Sequence, residues 1–281
     1  MANGLVYVGS SDFKVYAFNA ATGQPIWSAA TEDYVYSSPA VFDGVVYVAS
    51  FDNKLHAFDA ATGQQIWSAP TGGNLYCSPA VANGVVYIGS YDDKLYAFNA
   101  TTGQYLWTTP TGGIVVSSPA VVNGVVYVAS DKIYAFNAAS GLPIWSAVGC
   151  SIGTNSSPAV ANGVVYVGSA YSLYAFSAAT GQMLWSAPAD FFATYSSPAV
   201  ANGVVYVGSA DDLYAFNAAT GELLWSGVTG GYVTSPAVAN GMVYVGSGDG
   251  KLYAFGLPAA SPTARPNPAS LQPDLTLLPR R

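Results

Sequence analysis

The chain has few charged residues, and most of those are acidic. Only 8% of its 281 residues are charged, and 15 Asp and Glu against eight Lys and Arg give a formal net charge of −7. No basic cluster interrupts the sequence, although proteins that bind nucleic acid use clustered Lys and Arg to neutralise phosphates. The charge pattern therefore argues against nucleic acid as a partner.

Long apolar runs are also missing, although 51% of the residues are hydrophobic. No uninterrupted stretch approaches the roughly 18 to 20 apolar residues that a membrane-spanning helix needs. No signal peptide is recognisable, since Met1 runs directly into the repeated unit described below. We therefore expect no membrane span and attribute the apolar excess to sheets that are buried on both faces.

Residue types that carry catalysis or bind metals are scarce. Cys77 and Cys150 are far apart and form no C-x-x-C spacing, so we expect structural free thiols, with a disulfide across the centre of the fold as the alternative. The single histidine, His56, stands where other copies of the repeat have Tyr, and we interpret it as a substitute for Tyr rather than a general base without a partner. The sequence also contains no phosphate loop or nucleophile elbow.

One repeated unit makes up nearly all of the chain. Its clearest copy is Ser197 to Trp225, in which a short run, Ser197 to Val200, precedes three runs of alternating residues typical of strands. These three runs are Val204 to Ser209, Leu213 to Asn217 and Leu223 to Trp225. The unit is therefore predicted to be an antiparallel meander of four strands, A to D.

The turns of the unit support this prediction. Asn202-Gly203 lies between strands A and B and suits a type I′ hairpin turn, in which both central residues have positive φ. Between strands C and D, the Asn217 side chain can bond the backbone ahead of it, and Gly221 can close the loop in a left-handed conformation.

The landmarks recur every 38 to 40 residues along the chain. The first-turn glycines are Gly4, Gly44, Gly84, Gly124, Gly163, Gly203 and Gly241. The strand D tryptophans are Trp27, Trp67, Trp107, Trp145, Trp185 and Trp225. A period of about 40 residues with four strands each indicates a β-propeller, because a twisted sheet buries both faces only between two neighbours.

Seven copies of strand B predict an all-β, seven-bladed propeller over residues 1–256. Blade 1 begins at strand B, Leu5 to Ser10, and blade 7 ends after strand C, Leu252 to Phe255, so both are incomplete. The complete blades place strand A at Ser38 to Val41, Ser78 to Val81, Ser118 to Val121, Ser157 to Val160 and Ser197 to Val200.

The composition changes after Gly256. Residues 257–281 contain six prolines and are expected to be mostly linker or disordered. Within them, Asp274 to Leu278 (DLTLL) could add a strand at the seam between blades 7 and 1; alternatively the ring closes without it. Open strand edges invite pairing, so this seam is also the predicted place for self-association.

The block AFDAATGQQIW (Ala57 to Trp67), like AFNAATGQPIW (Ala17 to Trp27), resembles the tryptophan-docking motif A-x-D-x-x-T-G-x-x-x-W of the PQQ-like propeller repeat. The resemblance covers residues 2–255 and implies that the six tryptophans pack between adjacent blades. Physically, a large flat ring with one donor suits a sheet interface that offers one carbonyl. The motif's Asp is replaced by residues that can still cap the turn: Asn19, Asn99, Asn137, Ser177 and Asn217.

Proteins of this family share the fold and not the activity. They include quinoprotein alcohol and sugar dehydrogenases, usually with eight blades, an outer-membrane assembly lipoprotein, and sensor domains of kinases. The dehydrogenases hold the quinone and a calcium ion with blade-specific Glu, Asn and Asp, and often carry a disulfide between adjacent cysteines. None of this is recognisable here, where Glu32 and Glu222 are the only glutamates. Because these residues are missing, we expect no cofactor and no catalytic activity, and the resemblance favours an exported bacterial protein.

Variation between the blades concentrates in the D-to-A connections and B-to-C turns, which share one end of a meander and are named the loop face here. Loops carry function more often than the scaffold beneath them. The candidate ligand residues in the D-to-A connections are Tyr34, Tyr36, Tyr76, Phe191, Phe192, Tyr195 and Tyr232, and the B-to-C turns add Phe51, Tyr91 and Tyr171. We therefore expect a non-catalytic binding propeller for a protein or a small ligand; the alternatives are a degenerate PQQ-dependent oxidoreductase and a carbohydrate-binding propeller.

The B-to-C turns also carry a broken circle of carboxylates. Its members are Asp12, Asp52, Asp92, Asp93, Asp131, Asp211, Asp212 and Asp249, and nearby lysines offset most of them. We interpret the circle as turn chemistry and solubility, with a cation or a basic partner as the alternative. In blade 6, no nearby lysine offsets the charges of Asp211 and Asp212.

A Ser-Ser-Pro pattern, as in Ser37-Ser38-Pro39, begins strand A and predicts proline on the innermost edge, where a missing N–H costs little. The small serines leave the central channel open. We expect water to fill it, or alternatively a small polar ligand.

Overall fold

The alternation of apolar and polar residues produces strands and no helix in the part of the chain that the structure describes. The computed structural model describes residues 2–148, 155–170, 172–188 and 196–256. Among these residues no helix that could span a membrane was found.

In the described ranges, twenty-six strands form seven blades. Blade 1 contains β1 (Leu5–Gly9), β2 (Lys14–Asn19) and β3 (Pro25–Ala30). Blade 2 contains β4 (Ala40–Phe42), β5 (Val45–Ala49), β6 (Lys54–Asp59) and β7 (Gln65–Pro70). Blade 3 contains β8 (Ala80–Ala82), β9 (Val85–Ser90), β10 (Lys94–Asn99) and β11 (Tyr105–Pro110). Blade 4 contains β12 (Ala120–Val122), β13 (Val125–Ala129), β14 (Ile133–Asn137) and β15 (Pro143–Ala147).

The last three blades continue the order. Blade 5 contains β16 (Ala159–Ala161), β17 (Val164–Ser169), β18 (Ser172–Ser177) and β19 (Met183–Pro188). Blade 6 contains β20 (Ala199–Ala201), β21 (Val204–Gly208), β22 (Asp212–Asn217) and β23 (Leu223–Val228). Blade 7 contains β24 (Ala237–Ala239), β25 (Met242–Gly246) and β26 (Leu252–Gly256).

Each blade is an antiparallel meander whose strands pair in sequence order. Five sheets have four strands, and the sheets of blades 1 and 7 have three each among the described residues. The predicted all-β, seven-bladed propeller is therefore confirmed. The turns follow their residues: Asn202 and Gly203 have φ of 50° and 76°, as a type I′ turn requires. Asn217 Oδ1 accepts the N–H groups of Ala219 and Thr220 at 2.9 and 3.1 Å.

Strand A begins later than the sequence predicted, so that placement was wrong by about two residues. In blade 2 it starts at Ala40 instead of Ser38. Pro39 has no backbone N–H to donate to the neighbouring strand. The Ser37 side chain takes over the pairing, because its Oγ donates to the Ala49 carbonyl at 2.9 Å and accepts the Ala49 N–H at 3.0 Å. Hydrogen bonds from this side chain thus replace the first backbone hydrogen bonds between strands A and B.

A tryptophan joins each of blades 1 to 6 to the next blade. Trp27 Nε1 donates to the carbonyl of Ala60 in blade 2 at 3.0 Å, and the Tyr7 hydroxyl donates to the same carbonyl at 3.0 Å. The indole lies against Gly63, where a Cβ would come within 2.6 Å of the ring. The same indole bond links Trp67 to Ala100, Trp107 to Ala138, Trp145 to Ala178 and Trp185 to Ala218. Trp225 packs on Phe255 of blade 7, with ring centroids 5.8 Å apart.

The core lies between the blades. Six clusters of buried side chains each join two successive blades, from the pair 1 and 2 to the pair 6 and 7. Val46 and Val48 of blade 2, for example, pack against Tyr7, Val15 and Ala17 of blade 1. Burial of these faces supplies the hydrophobic driving force that a single exposed blade would lack.

No such cluster joins blade 7 to blade 1 among the described residues. Val8 of blade 1 is 43% exposed, whereas Val48, its counterpart in blade 2, is fully buried. Leu252 of blade 7 is 71% exposed, whereas Leu55 of blade 2 is fully buried. The predicted strand at Asp274 to Leu278 lies outside the described residues. The described part of the ring therefore presents two apolar sheet faces at its seam.

We expect Trp145→Ala to lower the free energy of unfolding by about 3 to 5 kcal/mol, because it removes a large ring from an interface between blades. Its sequence neighbour Ile144 is about half exposed on the same strand, so Ile144→Ala should cost about 1 kcal/mol or less. Urea denaturation of both variants checks this. Equal effects would remove the docking role of the indole.

Candidate functional site

The loop face is built where each D-to-A connection lies against the B-to-C turn of the following blade. The Phe51 N–H donates to the Tyr34 carbonyl at 2.9 Å, and the Tyr91 N–H donates to the Asn74 carbonyl at 3.0 Å. The Thr71 hydroxyl bonds the Asn53 carbonyl at 2.9 Å. Backbone bonds of this kind hold the variable side chains on an ordered base.

Aromatic rings from three neighbouring blades meet on this face. Tyr34 stacks on Tyr36 with centroids 5.4 Å apart, and the Phe51 ring meets Tyr36 at 5.2 Å and Tyr76 at 6.0 Å. Tyr91 adjoins Phe51 at 6.1 Å. Four of these five rings are exposed, and Tyr36 is 52% exposed. The structure thus unites three of the predicted ligand residues with two from the B-to-C turns.

Phe13 is a further member that sequence reasoning missed. Its ring meets Tyr34 edge-on at 5.0 Å, and we name the six rings together the aromatic cluster. Phe13 has φ of 67°, a left-handed conformation that the equivalent Asn53 and Asp93 share. Asn and Asp tolerate this conformation and a bulky ring does not, so a Phe at this position of the turn was the available signal.

Of the other predicted aromatic residues, Tyr232 is described and has no ring contact with this cluster. Tyr232 lies in the connection between blades 6 and 7 and is 68% exposed. Phe191, Phe192, Tyr195 and Tyr171 lie outside the described residues. The cluster therefore belongs to blades 1 to 3. It does not continue to blade 4, because Val116 stands where the two preceding D-to-A connections have Tyr36 and Tyr76.

Most carboxylates of the acidic circle accept hydrogen bonds from nearby strand C side chains and from loop N–H groups. Asp131 Oδ1 accepts the Tyr134 hydroxyl at 2.7 Å and the Gly112 N–H at 3.1 Å. Asp249 Oδ2 accepts the Tyr253 hydroxyl and the Lys251 ammonium, both at 2.8 Å. These bonds favour turn chemistry over ligand binding for the circle.

Blade 6 differs in its electrostatics. Burial raises the pKa of Asp212, and the neighbouring Asp211 raises it further. In blade 3, burial also raises the pKa of Asp92, but hydrogen bonds from Tyr96, Ser90 and Lys94 outweigh it and hold the pKa below its usual range. Oδ1 of both Asp92 and Asp212 is buried without a hydrogen-bond partner among the described residues, so the difference lies at Oδ2: in Asp92 it accepts Tyr96 and Lys94, and in Asp212 it accepts Tyr214 at 3.3 Å. The ionised form is thus favoured in blade 3 and disfavoured in blade 6.

His56 has a partner, contrary to the expectation from sequence. Its Nε2 lies 2.9 Å from Asp52 Oδ2, and both side chains are less than 5% exposed. The pair repeats the i, i+4 spacing of Tyr96 and Asp92 in blade 3, which was the signal available in the sequence. The ring is buried and stacked on Phe58, as Tyr96 is on Phe98, so it occupies the place that tyrosine has in the other blades.

Serines line the central channel. The Ser38 N–H donates to Ser78 Oγ at 2.8 Å, and the same link runs from Ser78 to Ser118, Ser118 to Ser157, Ser157 to Ser197 and Ser197 to Ser235. They enclose a cavity of about 350 Å³, with Tyr36 and Tyr76 also in its lining. The channel therefore opens beside the aromatic cluster.

Cys77 is the free cysteine of the described residues and lies in the same lining. It takes the place of Ser37, and burial raises the pKa of its thiol to about 12. A thiol with such a pKa is protonated at neutral pH and unreactive. Cys150 lies outside the described residues.

The described residues contain no group of three or more His, Cys, Asp or Glu that could hold a metal ion. Rings, hydroxyls and backbone groups make up the channel mouth and the cluster.

Comparison with known proteins supports the family predicted from the docking motif. A family model described as outer membrane protein assembly factor BamB matches residues 1–78, 55–194 and 171–257. BamB from Moraxella catarrhalis is 21% identical, with a TM-score of 0.80 over 91% of this chain and 83% of that one. No curated protein matches the sequence.

Two further solved structures share the fold. The computationally designed Ika8 protein is 20% identical, with a TM-score of 0.81 over 92% of this chain and 82% of that one. A europium-containing methanol dehydrogenase is 14% identical, with a TM-score of 0.73 over 91% and 72%. At these identities the likenesses show the fold alone.

Asp212→Asn should raise the melting temperature at pH 7, and Asp92→Asn should lower it. Asp212 has a raised pKa, so its ionised form destabilises the folded state above that pKa, and the gain from Asn should vanish as the pH falls towards about 4. Asp92 has a lowered pKa, so its stabilisation is present above about pH 4 and is lost as the pH falls through the folded value. Melting curves of both variants from pH 3 to 7 test these expectations. Changes of melting temperature with the same sign at pH 7 would contradict the opposite pKa shifts of Asp212 and Asp92.

Proposed function

The chain belongs to the family of outer membrane protein assembly factor BamB, and from this premise we propose that it is a non-catalytic scaffold that binds a protein through the aromatic cluster of its loop face. Proteins in this family share a propeller whose loops differ, so the contact surface of each must be sought in its own loops. In this chain the strongest departure from the repeat on the described loop face is the cluster on blades 1 to 3.

The single observation that carries the proposal is a set of six rings in mutual contact, five of them exposed: Phe13, Tyr34, Tyr36, Phe51, Tyr76 and Tyr91. Tyr and Phe are enriched in the centres of protein interfaces, since a rigid ring buries much area and loses little entropy. Rings that already pack on one another are ordered before the partner arrives, which reduces the cost of binding.

The backbone at Phe13 adds independent support. A non-glycine residue in a left-handed conformation costs about 1 to 3 kcal/mol and persists where the surroundings or the function require it. Asn or Asp fills the equivalent turn position in blades 2 and 3. Retaining a strained, exposed ring there is understandable if the ring is part of a contact surface.

Polar groups surround the cluster as they do the rim of an interface. Lys54 Nζ lies 2.7 Å from Glu32 Oε1, and Glu32 is largely exposed. Such exposed pairs contribute little stability, and they guide orientation and association rate instead. The name of the family also favours an exported setting for this scaffold.

A second candidate is a carbohydrate or small polar ligand at the channel mouth. Tyr36 and Tyr76 adjoin the serine-lined cavity, so a ring face and several hydroxyls are available together. Aromatic faces beside hydrogen-bonding groups suit a sugar. A glycan array with the wild-type protein tests this reading, and binding lost on Tyr36→Ser would favour it over the protein scaffold.

The main test uses a photo-crosslinking amino acid at Tyr36, with Tyr105 as the matched control. Both are 52% exposed, but Tyr105 lies on the outer strand β11. In the native host we expect the probe at position 36 to capture a distinct protein that the probe at 105 does not. The purified protein should then lose at least about tenfold in affinity when Tyr36, Phe51 and Tyr76 become Ser, with little change in melting temperature. Capture by the probe at position 105 alone would show that the binding face lies elsewhere. Unfolding of the triple variant would show that these rings are part of the core, which also contradicts the proposed face.

The remaining alternative, a quinone-dependent oxidoreductase, makes a different prediction. Purified protein given the quinone, calcium and a panel of alcohols and aldoses should reduce no dye above the buffer level, since no described group of acidic side chains could hold the calcium. Turnover that depends on the added quinone would overturn the scaffold proposal.

A further inference from the structure

The aromatic cluster is arranged around one ring. Phe51 lies at its centre, and its centroid is 5.2 to 6.4 Å from those of Tyr34, Tyr36, Tyr76 and Tyr91. The surrounding rings form two roughly parallel pairs, Tyr34 with Tyr36 at 23° and Tyr76 with Tyr91 at 29°. Phe51 is partly buried, whereas the four tyrosines are exposed. The cluster thus presents tyrosine rings around a deeper phenylalanine.

The hydroxyls of these four tyrosines are unused donors. None of them makes a hydrogen bond to another residue in the part of the chain that the structure describes. In contrast, the strand C residue Tyr134 donates its hydroxyl to Asp131 at 2.7 Å. A phenolic O–H can donate to a ligand, so the cluster offers four donors beside exposed ring faces.

Backbone acceptors in the same D-to-A connections are already engaged. The carbonyls of Tyr34 and Asn74 accept N–H groups of the B-to-C turns at 2.9 and 3.0 Å. The carbonyls of Asp33 and Gly73 each accept two hydroxyls, from Thr and Ser side chains, at 2.8 to 3.2 Å. The surface therefore suits a ligand that brings acceptors and apolar groups and that needs few acceptors in return.

A proline-rich segment has this combination of groups. Proline has no N–H, so it requires no acceptor. The backbone of a polyproline II helix forms no internal hydrogen bonds, so its carbonyls are free to accept them. Its rings pack on aromatic side chains, and its limited conformational freedom reduces the cost of binding. An extended strand or a sugar instead brings N–H or O–H groups that would need acceptors.

We propose that the aromatic cluster binds a proline-rich segment of the partner protein in the polyproline II conformation. The inference rests on the proposed function and names the part of the partner that the scaffold holds. Prolines of the segment pack on the rings of Tyr36, Phe51 and Tyr76, and the tyrosine hydroxyls donate to its carbonyls. Grooves lined by aromatic side chains recognise polyproline II segments in this way.

A carboxylate beside the cluster adds a preference for a basic neighbour. Asp93 lies two residues after Tyr91 in the same turn, is exposed and forms no ion pair among the described residues. Its neighbour Asp92 is already paired with Lys94. We therefore expect an Arg or Lys next to the prolines to strengthen binding through Asp93.

The occupant favoured here is a partner's segment and not residues 257–281, although these contain six prolines and three arginines. They follow β26, which begins after a B-to-C turn of the loop face and ends at Gly256. Because strand C runs away from the loop face, Gly256 lies at the opposite end of blade 7. A partner's segment reaches the cluster without first crossing the length of a blade.

The first test uses a labelled oligoproline of about ten residues, which forms a polyproline II helix, and measures its binding to the full chain by fluorescence anisotropy. We expect saturable binding that weakens at least about tenfold in Tyr36→Ser. Tyr105→Ser is the matched control, since both tyrosines are 52% exposed and Tyr105 lies on the outer strand β11; it should leave binding unchanged. Equal losses in the two variants would place the peptide elsewhere and overturn the proposal.

A second test examines the chemistry of recognition. The double variant Tyr36→Phe and Tyr76→Phe keeps the rings and loses two hydroxyls, so oligoproline should bind about threefold to tenfold more weakly. Tyr105→Phe should have no effect. A peptide of alanine and glutamine of the same length retains its N–H groups and should bind at least about tenfold more weakly than oligoproline. Equal affinity for the two peptides would overturn the proposal.

A third test concerns the basic neighbour. One Arg added to the end of the oligoproline should strengthen binding about twofold to fivefold at low salt, and Asp93→Asn should abolish this gain. Asp43→Asn is the matched control, because Asp43 is exposed in an A-to-B turn where the other blades have Asn, and it should preserve the gain. Equal effects of the two variants would contradict the role of Asp93.

The photo-crosslink at position 36 separates this inference from the proposed function. Mass spectrometry of the crosslinked peptide should identify a proline-rich segment of the captured protein. Capture through a segment without proline would overturn the inference and leave the scaffold proposal intact. Binding of oligoproline without capture of any protein would support the recognition chemistry and contradict the scaffold.

A variant with Pro262, Pro266 and Pro268 changed to Ala tests the chain's own segment as the occupant. Oligoproline should bind the wild-type chain and this variant equally. Binding to the variant alone would show that residues 257–281 occupy the cluster, which would replace the partner segment proposed here. No binding to either protein would overturn the proposal.

Discussion

The structure depends on one contact, in which an indole lies on a glycine of the next blade and donates to the alanine carbonyl beside it. A sheet with two apolar faces is stable only between neighbours, and stacking by hydrophobic burial alone would leave the relative position of two flat sheets poorly determined. The indole bond sets that position. The Tyr7 hydroxyl shares the Ala60 carbonyl with Trp27, so both outer and inner strands of a blade are tied to the same point. The glycine is required because a Cβ would overlap the ring.

This constraint explains where the chain varies. The turns between strands C and D provide the docking site, so their end of the propeller is nearly invariant from blade to blade. The loop face carries no part of the docking contact and is free to differ, and there the aromatic cluster interrupts the repeat. The carboxylates of the same face hold tyrosines and turn N–H groups, as Asp131 does for Tyr134 and Gly112, which leaves the rings as the exposed feature. The same turn recurs in blade 1 at Gly23, where no described indole lies on it.

Sequence reasoning failed where a residue's surroundings come from elsewhere in the fold or from backbone geometry. His56 was expected to lack a partner, yet Asp52 faces it across the B-to-C turn, four residues away in sequence. Phe13 was not predicted because its left-handed turn position, which Asn53 and Asp93 share, gives no sign of the contact with Tyr34, 21 residues away in sequence. Strand A was placed too early because a serine side chain, and not the backbone, makes its first bond.

The sequence by itself determined the strand pattern, the number of blades, the turn types and the family, because alternation, Asn-Gly turns and the spacing of Trp and Gly are local properties repeated seven times. It also identified Tyr34, Tyr36 and Tyr76 as loop residues. Only the tertiary structure decided that these rings meet Phe51, Tyr91 and Phe13, that most carboxylates of the acidic circle bond strand C side chains and loop N–H groups, and that Val8 and Leu252 are exposed. The physical reason is that contacts between blades join residues about 40 positions apart, and periodicity along the chain carries no information on which side chains meet across that distance.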